Sequence, residues 1–141
     1  MVRLVLDTSI VVAALRSHRG PANAILTAVA NREYTALATP PLFLEYEDVL
    51  KRAEHRLAHG LSIAQIDDFL TQFAAVLQPV EVYYKWRPQL RDAADEMVLE
   101  AAINGRASAI VTYNVADFLP ASKTFSIAVI SPPDFLKRRP I

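Results

Sequence analysis

Cysteine is absent from the 141 residues of this chain. That absence excludes a disulfide scaffold, a thiolate zinc site and a cysteine nucleophile together, and it suits a reducing compartment. Glycine is scarce, at three residues, and no glycine-rich run is available to cradle phosphates, so ATP and dinucleotide binding are not expected. No stretch of about 18 apolar residues occurs, so no membrane-spanning helix is expected. The opening Met-Val-Arg-Leu-Val-Leu-Asp has neither a long apolar run nor a cleavage site, so a signal peptide is not expected and the expected location is cytoplasmic. An excess of either charge is missing too, with Lys plus Arg at 15 and Asp plus Glu at 15. Nucleic-acid binders are often basic overall, and this balance counts against such a partner. A nuclease that gathers its acids in the site and its bases around it would give the same sum.

What is present is apolar. Hydrophobic residues make up 52% of the chain and charged residues 21%, a composition that folds rather than stays disordered. The length fits one domain over residues 1–141, with roughly two-thirds of the unfolded surface buried on folding.

Apolar runs alternate with helical patterns along the chain. Residues 3–6 read as a buried strand closed by Asp7-Thr8-Ser9, with Thr8 or Ser9 capping a helix over 10–15. A second helix is expected over 22–31 and a strand over 34–39. Pro40-Pro41 opens a long helix to residue 57, and Gly60 stops it. Ser62 with Gln65 forms a capping box for a helix to residue 77. A strand is expected over 80–84 and a loop over 85–91, then a helix over 94–104 followed by Gly105. A strand over 107–112 precedes a short turn near Asp117-Phe118, then a strand over 126–130, a last helix over 131–136 and a frayed tail. This alternation argues for a parallel sheet covered on both faces. In such folds ligands sit beyond the carboxyl ends of the strands.

Four acids fall at that end. Asp7 closes the first strand, Glu45 lies early in the helix after the second, Asp95 lies in the first turn of the helix before the 107–112 strand, and Asp117 follows that strand. Carboxylates gathered at one spot repel one another unless a cation sits among them. An oxygen-only donor set selects hard ions such as Mg²⁺ or Mn²⁺. Asp95 shares a helix face with Val98, Leu99 and Ala102, where a carboxylate is costly without compensation. Glu96 and Glu100 are assigned to a solvated stripe. Each acid alone also has an ordinary reading: Asp7 as a turn residue, Glu45 as a surface acid beside Glu47 and Asp48, Asp95 as a helix-start charge, Asp117 as a cap.

Taken together these segments resemble the PIN-domain family, and in particular the toxin components of bacterial toxin–antitoxin pairs. Val5-Leu6-Asp7-Thr8-Ser9-Ile10 is similar to its opening strand and first acid, and the segment 43–50, Phe-Leu-Glu-Tyr-Glu-Asp-Val-Leu, to its second motif. Residues 91–102 are similar to its third motif, 111–118 to its fourth and 131–136 to its closing element. The resemblance implies a three-layer α/β/α sandwich with a central, mainly parallel sheet. It implies a Mg²⁺- or Mn²⁺-dependent endoribonuclease with metal ligation by Asp7, Glu45, Asp95 and Asp117. Ser9, Thr112 and Asn114 would support the site from its rim. Some relatives have an acid where this chain has Asn114, which implies a weakly held second metal. An antitoxin partner that covers the site, and a homodimer, are also implied.

Basic residues near these motifs are candidate RNA contacts: Arg16 and Arg19 after the first helix, and Lys85, Arg87 and Arg91 around Trp86. His55 and His59 stand i, i+4, but Arg56 follows the first where a zinc protease needs glutamate, so a solvated face is the expected reading. Two other functions fit parts of the pattern. One is a phosphatase with Asp7 as nucleophile, although Ser9 stands where the haloacid-dehalogenase type has its second aspartate. The other is a catalytically silent binding module.

Overall fold

The computed structural model describes residues 2–83, 90 and 92–138. The candidate RNA contacts Lys85, Arg87 and Arg91, the loop expected around Trp86 and the end of the tail lie outside the described residues. Strands β1 (Arg3–Leu6), β2 (Thr35–Ala38), β3 (Leu77–Pro79), β4 (Ala109–Val111) and β5 (Ala128–Ile130) form one parallel sheet in the order β3-β2-β1-β4-β5. Leu4 pairs with Ala36 on one side and with Ala109 on the other. The order therefore reverses at β1, which makes the crevice between β1 and β4 the topological switch point.

Helices α1 (Thr8–Arg16) and α2 (Pro21–Ala30) join β1 to β2. Helices α3 (Pro40–Lys51), α4 (Ala53–His59) and α5 (Ile63–Val76) join β2 to β3. The chain then returns through α6 (Ala93–Gly105) to β4, and α7 (Val115–Phe125) leads to β5, followed by α8 (Pro132–Arg138). Right-handed crossovers moving in opposite directions put α1–α5 on one face and α6 and α7 on the other, an α/β/α sandwich. Covered on both faces, the centre of the sheet is apolar, with Leu4, Val5 and Val111 at 0% exposure. Among the described residues, no helix is long and apolar enough to cross a membrane.

The structure departs from the expected elements in several places. Asp7 is the N-cap residue of α1, rather than Thr8 or Ser9. The long helix over 40–57 breaks at Arg52, whose backbone is extended (φ −63°, ψ 139°). No residue of α4 is buried, so no core contact holds it in line with α3. The break frees the Leu50 carbonyl, and His59 Nε2 donates to it at 3.1 Å while Nδ1 accepts from the Leu61 N–H at 3.0 Å. His59 is thus a structural tie rather than part of a solvated face. The strand expected over 80–84 is instead β3, directly at the end of α5; there it is an edge strand, where Pro79's missing N–H costs nothing.

The turn near Asp117 is the first turn of α7, an 11-residue helix that Pro120 disguises as a breaker. Buried Phe118 and Ala121 anchor it, and Ser122 Oγ donates to the Ile127 carbonyl at 2.7 Å. Gly105 is the last residue of α6, and Arg106 takes the left-handed cap at φ 54°. Glu96 and Glu100 are buried, each at 4% exposure, because α6 packs against β1, β2, β4, α3 and α7. Glu96 Oε1 accepts the Leu90 N–H at 2.7 Å. The Ser62–Gln65 capping box is present as expected, with both reciprocal bonds formed.

Candidate functional site

Asp7 leaves the end of β1 with its backbone N–H bonded to the Val111 carbonyl at 3.0 Å, which fixes it beside β4. Its side chain is 3% exposed. Oδ2 accepts two hydroxyl donors, Thr112 Oγ1 at 2.7 Å and Ser9 Oγ at 2.8 Å. Thr112 Oγ1 in turn accepts the Asn114 N–H at 2.9 Å, and Ser9 Oγ accepts the Tyr113 N–H at 3.3 Å. These bonds tie the loop after β4 to the first acid. Oδ1 has only a 3.5 Å contact from Thr8 Oγ1, which leaves it facing the cleft with lone pairs to spare. Beneath, fully buried Tyr46 donates its hydroxyl to the Leu6 carbonyl, locking α3 to the end of β1. Burial, with the Asp7 charge second, pushes the Tyr46 phenol far above its usual range, so it stays a donor.

Asp7, Glu45 and Asp95 line one open cleft of about 560 Å³ together with Asn114. Glu45 reaches it from the edge of α3, half-buried beside the buried stripe Leu42, Tyr46 and Val49. Asp95 reaches it from the first turn of α6, on the face shared with buried Val98, Leu99 and Ala102. The Asp95 carboxyl is pushed up from 3.8 to about 7, chiefly by desolvation and then by the charges of Asp7, Asp92, Asp117 and Glu96. Asp117 is exposed on α7 and does not line the cleft, yet it lies near enough to Asp95 to contribute to this shift. Asp92 caps α6 through Oδ1 and the Ala94 N–H at 2.8 Å, and it also faces the cleft. Thr112 lies below the rim at 0% exposure, where it holds Asp7. Asn114 is on the rim as the N-cap residue of α7.

Most of the remaining cleft residues are ones that the sequence placed elsewhere or passed over, the candidate RNA contact Arg16 excepted. Arg16 lines it, and Arg19 does not. Val12, Ala13 and Val49 add an apolar wall, and Tyr113 is a 44% exposed aromatic at the rim. Arg52 lines it while pairing with Asp48 at 2.8 Å and Glu45 at 3.9 Å. His55, expected on a solvated face, is a half-buried cleft residue. Both arrive through the break at Arg52, which no periodicity in the sequence announces.

Among the described residues, no three acid or imidazole side chains are already spaced as a closed metal cage. The donor chemistry still fits a hard divalent ion, since the cleft offers four carboxylates, Asp7, Glu45, Asp92 and Asp95, and an amide oxygen and no thiol. The raised Asp95 pKa reflects burial first and the neighbouring carboxylates second, and a cation in the cleft would offset both.

No curated protein matches the chain. A crystal structure of VapBC2 from Rickettsia felis bound to a DNA fragment from their promoter is similar in fold, with a TM-score of 0.62 at 16% identity, covering 92% of this chain and 98% of that one. The PIN domain family model matches residues 3–116, a span that contains Asp7, Glu45, Asp95 and Asn114 and stops one residue before Asp117. A match over so much of the length, on a sheet whose switch point holds the first acid, shows that the chain belongs to the PIN-domain family.

Proposed function

We propose that this chain is a divalent-metal-dependent endoribonuclease, acting as the toxin of a toxin–antitoxin pair. Asp7, Glu45, Asp95 and Asp117 would hold Mg²⁺ or Mn²⁺, with Ser9, Thr112 and Asn114 in support. The observation behind this reading is the convergence of Asp7, Glu45 and Asp95, from three distant segments, on one cleft at the switch point of the sheet. Membership of the PIN-domain family supports a nuclease. When bound, such a cation polarises a phosphodiester oxygen and lowers the pKa of water. The chain's own contribution is orientation. Two hydroxyls fix Asp7 Oδ2 and leave Oδ1 to the cleft. The exposed ring of Tyr113 offers a face on which a base can stack. An antitoxin partner is supported by the fold shared with the VapBC2 structure.

The test is cleavage of end-labelled single-stranded RNA, and of DNA of the same sequence, with Mg²⁺, Mn²⁺ or EDTA, beside the Asp7→Asn variant. Metal-dependent cutting of RNA that disappears in the variant is the expected result. Cutting that survives in EDTA or in Asp7→Asn would place the chemistry elsewhere, and preference for the DNA strand would replace the substrate.

A further inference from the structure

The cleft carries basic as well as acidic side chains. Asp7, Glu45 and Asp95 line it, and so do Arg16, Arg52 and His55, beside Val12, Ala13 and Val49. Arg16 lies nine residues beyond Asp7 along α1, roughly 14 Å at the rise of an α-helix. The two residues thus stand about two and a half turns apart along one helix, a spacing that neighbouring phosphates of one strand can bridge. The two free cationic candidates differ in availability. Arg52 is held by Asp48 at 2.8 Å with Glu45 at 3.9 Å, so its charge is already answered. Arg16 has no carboxylate within ion-pair distance among the described residues, and it is exposed on the last turn of α1. His55 lines the same cleft from α4, which packs against α1, with Glu54 Oε1 3.9 Å from its Nε2.

We propose that Arg16 and His55 form a second phosphate subsite, which takes a backbone phosphate of single-stranded RNA next to the linkage that is cut. The proposal rests on the ribonuclease reading above. The apolar wall of Val12, Ala13 and Val49 suits the base or ribose joining the two phosphates, where a charged group would be disfavoured. A volume of about 560 Å³ is that of a small-molecule pocket, room for a nucleotide or two of single strand. Arg16 then fixes the register of the strand and leaves the chemistry to the carboxylates.

The test is fluorescence anisotropy of a labelled single-stranded RNA decamer in EDTA, titrated at several salt concentrations, with cleavage in Mg²⁺ or Mn²⁺ measured separately. Losing one charge-assisted phosphate contact in Arg16→Ala should weaken binding about 10-fold. The slope of log K against log salt should fall in magnitude by about 0.7, the value for one phosphate of a single strand. Arg16→Lys should keep that slope, His55→Ala should weaken binding, and exposed Arg32→Asn, outside the cleft, should match the wild type. A wild type that cuts RNA while Arg16→Ala binds with unchanged affinity and slope overturns the subsite and leaves the ribonuclease reading standing. A folded wild type that neither binds nor cuts RNA overturns both.

Discussion

Asp95 sits in the first turn of α6, where the helix dipole favours a carboxylate, and its pKa is nevertheless pushed up to about 7. Desolvation and the charges of Asp7, Asp92 and Asp117 outweigh the dipole. In the unfolded chain an aspartate titrates near 3.9. Between about pH 4 and pH 7 the folded chain therefore holds the proton that the unfolded chain has lost, and stability falls as pH rises through that window. Asparagine cannot lose a proton. The metal-free Asp95→Asn variant is expected to melt above the wild type at pH 8, with the gain shrinking to nothing near pH 4. Thermal melts in EDTA across that range measure it, and a gain independent of pH would contradict the crowding of charge. The local pattern exposed this residue, because a carboxylate on the face of Val98, Leu99 and Ala102 is anomalous in sequence alone. Thr112 was not legible in the same way. Its hydroxyl matters only once β4 is laid beside β1, and residues 7 and 112 meet through parallel pairing that no local pattern encodes.

At the scale of elements, α6 shows how close packing sets a residue choice. A Cβ built on Gly105 would stand 2.8 Å from Leu37 Cδ1 and 3.0 Å from Val80 Cγ2. Leu37 is fully buried and has little room to retreat. Alanine is intrinsically the better helix residue by about 1 kcal/mol, while overpacking a filled core costs about 1–3 kcal/mol. The clash wins, and Gly105→Ala is expected to destabilise the fold by about 1–2 kcal/mol in urea or thermal unfolding. Adding Leu37→Val removes the contacting methyl's reach, so the double variant should be more stable than the sum of the two singles. Additive effects would show that the crowding at residue 105 does not involve Leu37. The sequence read Gly105 as a residue past the helix end, a fair inference from local signals, yet Arg106 takes the left-handed cap and the glycine serves contact with β2 instead. Boundaries failed wherever tertiary contact decided them: at Arg52, where α3 breaks, and over α7, where Phe118 and Ala121 hold a helix despite Pro120. Elements with their own signals, such as the capped start of α5, were legible because Ser62 and Gln65 satisfy each other locally.

For the whole molecule, a formal net charge of zero conceals a cleft that gathers four carboxylates and two arginines. The acids at residues 7, 45 and 95 are far apart in the unfolded chain and share a cleft only in the folded one. A divalent cation held there binds the native state and hardly the unfolded state, so it must raise stability. At a concentration about 100 times its dissociation constant the gain is about 2.7 kcal/mol. For a chain of this length that is a shift of several degrees in Tm. Melting at pH 7.5 with and without millimolar Mn²⁺ or Mg²⁺, at matched ionic strength, is expected to show that rise. Asp7→Asn should abolish most of it, since it removes the anion that Thr112 and Ser9 hold in place. Asp95→Asn should start from a higher metal-free Tm and gain less, because the repulsion it relieves is the same repulsion that the cation relieves. Arg16→Ala should gain as much as the wild type, because a guanidinium is no ligand for the cation. A wild type whose Tm ignores both metals, while the fold is intact, would mean that the carboxylates converge without holding a cation, and the nuclease reading would fall with the metal.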